Sequence, residues 1–149
     1  NNNIGMTSTN LETDIRSSQK IKDDWTLDGS VSNTMAAYIS YPQDMNDHIF
    51  SVYVNRPGLS FGYFFRGGGS LSGVQRGIAE FTVEGYNERA FISMNQQQVQ
   101  QLEIDDGNTI QVVDIDSNKP FAIVLPINAG NITFYDVNRN TVEYWNNPL

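Results

Sequence analysis

The chain has no cysteine, a single histidine and only nine lysines and arginines among its 149 residues, and each shortage removes a class of chemistry. Without cysteine there is no disulfide, no zinc–thiolate centre and no thiol nucleophile, so stability has to come from a packed core. With one histidine, any Ser-His-Asp relay would have to run through His48, which stands beside Asp47 and reads as a structural or solvated side chain. Seventeen Asp and Glu give a formal net charge of −8. That balance opposes the attraction to phosphate on which non-specific nucleic-acid binding rests, and equally opposes adhesion to an anionic bilayer. Nucleic acid is not expected as a partner. Long apolar runs are missing too: the most apolar stretch, 121–127, contains Pro126 and falls far short of the roughly 20 residues that a spanning helix needs. No transmembrane segment is expected.

What is present suits one ordinary domain. Hydrophobic residues make up 39% and charged residues 17%, too apolar for a disordered tail and too polar for a membrane protein. A chain of this length buries roughly two-thirds of its unfolded surface around a core. We expect a flexible tail over 1–9 followed by one mostly β domain over 10–149. The sequence opens at Asn1 rather than Met, with a polar run ending in Met6-Thr7-Ser8-Thr9. This looks like a tether left by processing and leads to the expectation of an extracytoplasmic protein, secreted or lipid-anchored at the cell surface.

Between Asn10 and Asp23 the spacing of Leu11, Ile15 and Ile21, with Glu12 and Asp14 in the first turn, predicts a short helix. Beyond Trp25 the pattern turns to β-branched and aromatic runs punctuated by Gly, Pro, Asn and Asp, the mark of strands joined by turns. Strands are predicted at 25–31, 35–41, 48–54, 60–66, 78–84, 89–94, 109–115 and 121–125. A closing hairpin should pair 132–136 with 141–145 across Val137-Asn138-Arg139-Asn140. In 78–84 the residues Ala79, Phe81 and Val83 alternate with Glu80, Thr82 and Glu84, which predicts one core face and one wet face. The runs 121–125 and 48–54 are apolar on both faces and should be covered on both sides. Asn95 followed by Val99 and Leu102 predicts a second short helix near 95–103, capped by Asn95. The fold expected is an antiparallel β-sandwich, with a closed β-barrel as the alternative.

The most function-like stretch is Phe65-Arg66-Gly67-Gly68-Gly69-Ser70-Leu71-Ser72-Gly73-Val74-Gln75-Arg76-Gly77. Two arginines flank glycines whose backbone N–H groups could cradle an anion, and Tyr63 lies just before them. The stretch lacks the Lys-Ser/Thr ending of a P-loop and the spacing of a dinucleotide fingerprint, and Gly68, Ser70 and Ser72 miss the G-x-S-x-G pattern of a nucleophile elbow. Arg66, Gly67, Gly68, Gly69, Ser70, Arg76 and Tyr63 are therefore candidate binding residues, and no catalytic residue, metal ligand or cofactor is assigned. Asp114 with Asp116, or Glu80 with Glu84, would lie about 7 and about 13 Å apart along one strand, and both pairs read as solvated charge rather than a glycosidase dyad. Asp114-x-Asp116-x-Asn118 and Asp136-x-Asn138-x-Asn140 imitate the first ligands of a calcium loop but lack its Gly and its Glu, and read as turns. Trp25, Tyr38, Tyr41, Tyr63, Tyr86, Tyr135, Tyr144 and Trp145 are candidates for a sugar-stacking platform wherever they are exposed.

Ala90-Phe91-Ile92-Ser93-Met94-Asn95, Val99, Leu102-Glu103-Ile104 and the ending Asn131-Ile132-Thr133-Phe134-Tyr135-Asp136-Val137-Asn138 resemble small secreted or lipid-anchored all-β domains of Gram-positive bacteria. The resemblance implies a cell-envelope setting and transfers no functional residue. The expected function is that of a non-enzymatic binding or interaction module that presents 67–77 to a protein or cell-wall polymer. A carbohydrate-binding module and a barrel holding a lipophilic ligand are alternatives, and a small carboxylate-dependent hydrolase stands behind them. Oligomeric state is left open.

Overall fold

Leu11 and Ile15, one turn apart, put two apolar side chains on one face of a helix, and the computed structural model, which describes residues 5–56 and 62–149, builds that helix as α1 (Leu11–Ser18) with both residues fully buried. A 3₁₀ turn at Ser8–Asn10 leads into it. Within the expected tail, residues 1–4 lie outside the described residues, and Met6 exchanges two backbone hydrogen bonds of 2.8 and 2.9 Å with Tyr63.

Among the described residues twelve strands follow: β1 (Thr26–Val31), β2 (Met35–Tyr41), β3 (Ile49–Asn55), β4 (Tyr63–Gly69), β5 (Ile78–Thr82), β6 (Glu88–Ser93), β7 (Val99–Asp105), β8 (Ile110–Asp114), β9 (Phe121–Pro126), β10 (Asn131–Asp136), β11 (Thr141–Val142) and β12 (Tyr144–Pro148). A one-turn helix, α2 (Ser72–Arg76), links β4 to β5. The strands form three open four-stranded sheets: β1-β2-β3-β4, β12-β5-β6-β9 and β11-β10-β7-β8. All pairings are antiparallel except β12 with β5, which run parallel. The architecture is an all-β sandwich in layers. Among the described residues no sheet closes into a barrel, so the fold is the sandwich rather than the barrel alternative.

The first and middle sheets bury Ala37, Ile39, Phe50 and Val52 against Ala79, Phe81, Ala90 and Ile92, and Phe50 stacks on Phe81 at 4.6 Å between ring centroids. The opposite face of the middle sheet places Ile78, Phe91 and Phe121 against Leu102, Ile104 and Phe134 of the third sheet. There Phe91 meets Phe134 edge-on at 5.2 Å. The outer face of the first sheet is covered by α1, whose Leu11 and Ile15 join Ala36, Tyr38, Tyr53 and Tyr63. Helix and sheets therefore stack as four layers with three apolar interlayers. This explains the runs that are apolar on both faces: β3 lies between α1 and the middle sheet, and β9 belongs to the middle sheet itself. Among the described residues no helix is long and apolar enough to cross a membrane.

Three expectations are corrected. The face of β5 read as wet is not wet at Glu80, which is only 7% exposed. It accepts an Arg89 Nη1 hydrogen bond of 2.9 Å and an Asn146 Nδ2 bond of 3.0 Å, because the third sheet covers that side. The helix near 95–103 does not form. Asn95 and Gln98 adopt left-handed φ of 59° and 57°, a turn that no α-helix accommodates, and Val99 already begins β7. The closing hairpin holds for two pairs only, Phe134 with Val142 and Tyr135 with Thr141. The chain then leaves the third sheet, and β12 pairs with β5 from Tyr144–Ile78 to Pro148–Thr82.

Candidate binding groove

The glycine-rich stretch is not the flexible loop its composition predicts. Gly67, Gly68 and Gly69 are strand residues of β4, opposite Val52, Ser51 and Phe50 of β3, and Arg66 is the extra residue of a bulge between Val52 and Tyr53. Close packing accounts for two of the glycines. A Cβ on Gly67 would stand 3.1 Å from the Leu149 side chain, and one on Gly68 would stand 2.7 Å from the Phe50 carbonyl and 2.8 Å from Gln19, so a side chain there would displace a neighbour. The strand at 60–66 begins, among the described residues, at Tyr63; Ser60 and Phe61 lie outside them.

The other candidate residues are dispersed. Tyr63 is buried under α1 and donates its hydroxyl to the Ser32 carbonyl. Arg66 donates from Nη2 to the Leu149 carbonyl at 2.7 Å. Ser70 donates to the His48 carbonyl at 2.7 Å. Arg76, the last residue of α2, lines a groove of about 460 Å³ between α2 and the β11–β12 segment. Arg66 and Arg76 share no partner.

Local chemistry fixes one wall of that groove. His48 is 2% exposed, with Nδ1 2.7 Å from Gln75 Oε1 and Nε2 accepting the Leu71 backbone N–H at 3.1 Å. An Nε2 that accepts leaves Nδ1 as the donor, so both ring nitrogens are occupied and the imidazole clamps the start of α2. The expectation that His48 is structural holds. Gln75 also donates to the Met45 carbonyl at 3.1 Å, and the Met94 N–H donates to the Val74 carbonyl at 2.9 Å. The short helix is thus held on both flanks.

The other wall is β11 and β12. Pleating turns Tyr144 into the second interlayer and its neighbour Trp145 outward, 67% exposed. Trp145, Arg76, Gln97 and Glu143 line the groove with Ser72 and Gly73. An indole face, a guanidinium, a carboxylate and an amide converge on one concave surface. The other aromatic candidates do not form a platform with Trp145: Tyr38, Tyr41 and Tyr63 are buried, and Trp25, Tyr86, Tyr135 and Tyr144 are half-buried.

The acids named in the sequence are distributed differently. Glu80 is spent on Arg89, and Glu84 is exposed beyond β5. Asp114 and Asp116 do share a concavity of about 300 Å³, with Asp28 and Lys119 on its rim. In the two calcium-like stretches Asp116 Oδ1 accepts the Asn118 N–H, and Asp136 Oδ1 accepts those of Asn138 and Asn140, all at 2.9 Å. These are the Asx turns expected. Two tyrosines pair with carboxylates: Tyr53 donates to Asp14 of α1, and Tyr41 donates to Asp28 at 2.5 Å. Burial, then the adjacent carboxylate, pushes both phenols well above the ordinary tyrosine range. Asp106 is held below the usual carboxylate range by the backbone N–H groups of Thr109 and Asn108.

Trp145 was one of eight aromatic candidates, and Gln97 and Glu143 carried no signal. Their juxtaposition depends on the parallel β12–β5 pairing, which brings together residues far apart in the chain. No protein-family model, curated protein or solved structure matches the chain.

Proposed function

We propose that the chain is a non-enzymatic binding module of the extracytoplasmic space, and that the groove between α2 and β11–β12 takes a glycan segment, such as that of a cell-wall polymer. The observation that carries this reading is Trp145, a large aromatic side chain left 67% exposed on a concave surface beside Arg76, Gln97 and Glu143. An aromatic side chain ringed by hydrogen-bonding groups on a concave surface suits the apolar face and equatorial hydroxyls of a sugar ring. A single ring rather than a row suits a short site.

The test is titration of the purified chain with soluble chito-oligosaccharides and solubilised peptidoglycan fragments, followed by tryptophan fluorescence and thermal shift. Binding should raise the melting temperature by mass action, and Trp145→Ala should abolish the shift while leaving the unliganded melting temperature nearly unchanged. Arg76→Ala should weaken binding and Arg66→Ala should not, since Arg66 is engaged at Leu149. A folded protein that responds to none of these glycans, or responds equally after Trp145→Ala, would sink the reading.

A further inference from the structure

Opposite β11, at the far edge of the third sheet, lies β8. Exposed strand edges invite pairing, and proteins ordinarily blunt them. The other edges here are blunted. β11 has two residues, and β4 carries the Arg66 bulge and is capped by Met6. The outer strands β1 and β9 are stitched together by Ser30 Oγ donating to the Ala122 carbonyl at 2.6 Å, and β9 and β12 run into Pro126 and Pro148.

Strand β8 has none of these devices. Its five residues, Ile110-Gln111-Val112-Val113-Asp114, pair with β7 in unbroken register and contain no Pro, Gly or Lys. Val113 packs inward and anchors the strand, while Ile110 and Val112 are 57% and 49% exposed on the same outer face. Around that face Glu103 lies opposite Val112 and Asp105 opposite Ile110, and Asp114 ends the strand; Arg139 lies 3.7 Å from Glu103, and among the described residues Asp105 and Asp114 have no cation paired with them.

We infer that β8 is an acceptor edge for an extended segment of another protein, one that alternates apolar residues with lysine or arginine and is taken up by strand addition. Main-chain hydrogen bonds along β8 supply affinity. Ile110 and Val112 give apolar contact, and the acidic surround selects for basic side chains. The same acids act against a second copy, because pairing β8 with itself would bring Asp114 and Asp105 of two chains together, each chain at a net charge of −8.

The probe is a short capped peptide alternating lysine with valine, titrated into the ¹⁵N-labelled chain. Two controls are the glutamate-for-lysine peptide and a lysine peptide N-methylated at alternate backbone positions. The lysine peptide should shift the amides of β8 and the adjoining β7, weaken at least about tenfold in high salt, and bind neither when N-methylated nor to the Val112→Lys variant. That substitution is on an exposed side chain and should leave the fold intact, as circular dichroism checks. Asp105→Asn with Asp114→Asn should weaken the same peptide without touching the fold. Absence of binding at millimolar peptide, equal binding of the glutamate or N-methylated peptide, or shifts centred away from β8 would overturn the inference. Concentration-dependent dimerisation of the chain alone through β8 would overturn it too, by making a second copy the occupant.

Discussion

Asn95 offers a sharp test of the layered fold. Its side chain is 6% exposed, and its Nδ2 lies 3.1, 3.1 and 3.0 Å from the carbonyls of Val99, Asp116 and Lys119, while Oδ1 accepts the Val99 N–H at 2.7 Å. One amide thus fixes the turn before β7 and ties it to the turn before β9. If Asn95 were the N-cap of a helix, Asn95→Asp would be nearly neutral, because Asn and Asp cap equally well. In the observed fold the same change removes the two N–H donors that these three carbonyls share and points a carboxylate at them. At about 1 kcal/mol or more for each donor lost, plus the burial of a charge, the loss is at least about 2 kcal/mol. For a domain this size that lowers the melting temperature by roughly 4–8 °C or more. Urea unfolding followed by circular dichroism reads it as a fall in midpoint at constant slope. The burial that penalises the new carboxylate also raises its folded-state pKa, so the deficit should shrink as the pH falls. Asn95→Ala should fall between parent and Asn95→Asp. An Asn95→Asp protein within about 0.5 kcal/mol of the parent, the scale of an ordinary surface substitution, would refute the turn and the strand register that follows it.

Other perturbations probe the remaining layers. Arg89→Ala strands the Glu80 carboxylate between sheets and should cost roughly 3–5 kcal/mol in denaturant unfolding, whereas an apolar pair of similar volume at both positions should cost little; a loss under about 1 kcal/mol for Arg89→Ala would mean the pair behaves as a surface one. Spectrophotometric titration near 295 nm should find Tyr38, Tyr41, Tyr53 and Tyr63 silent through the ordinary tyrosine range. Because their folded pKa values lie above the unfolded ones, their contribution to stability is complete below about pH 10 and is lost as the pH rises, so they should ionise together with alkaline unfolding. His48→Ala removes the clamp on α2 and should destabilise by roughly 2–4 kcal/mol through a cavity and an orphaned Leu71 N–H, as thermal unfolding measures.

How much of this was legible in the sequence depends on how local the signal was. Helix α1 starts where predicted but stops at Ser18, short of Asp23, and strands β1, β2, β3, β6 and β9 followed from periodicity and turn residues to within a residue at their ends. So did the prediction that β3 and β9 are covered on both faces. The Asx turns at Asp116 and Asp136 follow from short-range side-chain to backbone bonds and needed no tertiary contact. The failures share a cause. Asn95 with two apolar residues at helical spacing is a sound local helix signal, but the Asn95 side chain finds its partners in the 116–119 turn and the turn wins. The glycines of β4 read as a loop, yet Leu149, Gln19 and the Phe50 carbonyl occupy the space their side chains would need. Glu80 alternates as a wet residue, and only the third sheet makes its surroundings dry.

The sequence by itself determined the all-β class, the helix that opens the fold, and the exclusion of thiol chemistry, because composition and nearest-neighbour periodicity carry those signals. The tertiary structure decided that there are three stacked sheets, that Arg66 and Arg76 part company, that Trp145 faces a groove beside Arg76, and that β8 is left as an open edge. Each of these turns on strands pairing across long stretches of chain, above all β12 beside β5, and such pairing is set by which faces can be buried together rather than by any residue's immediate neighbours.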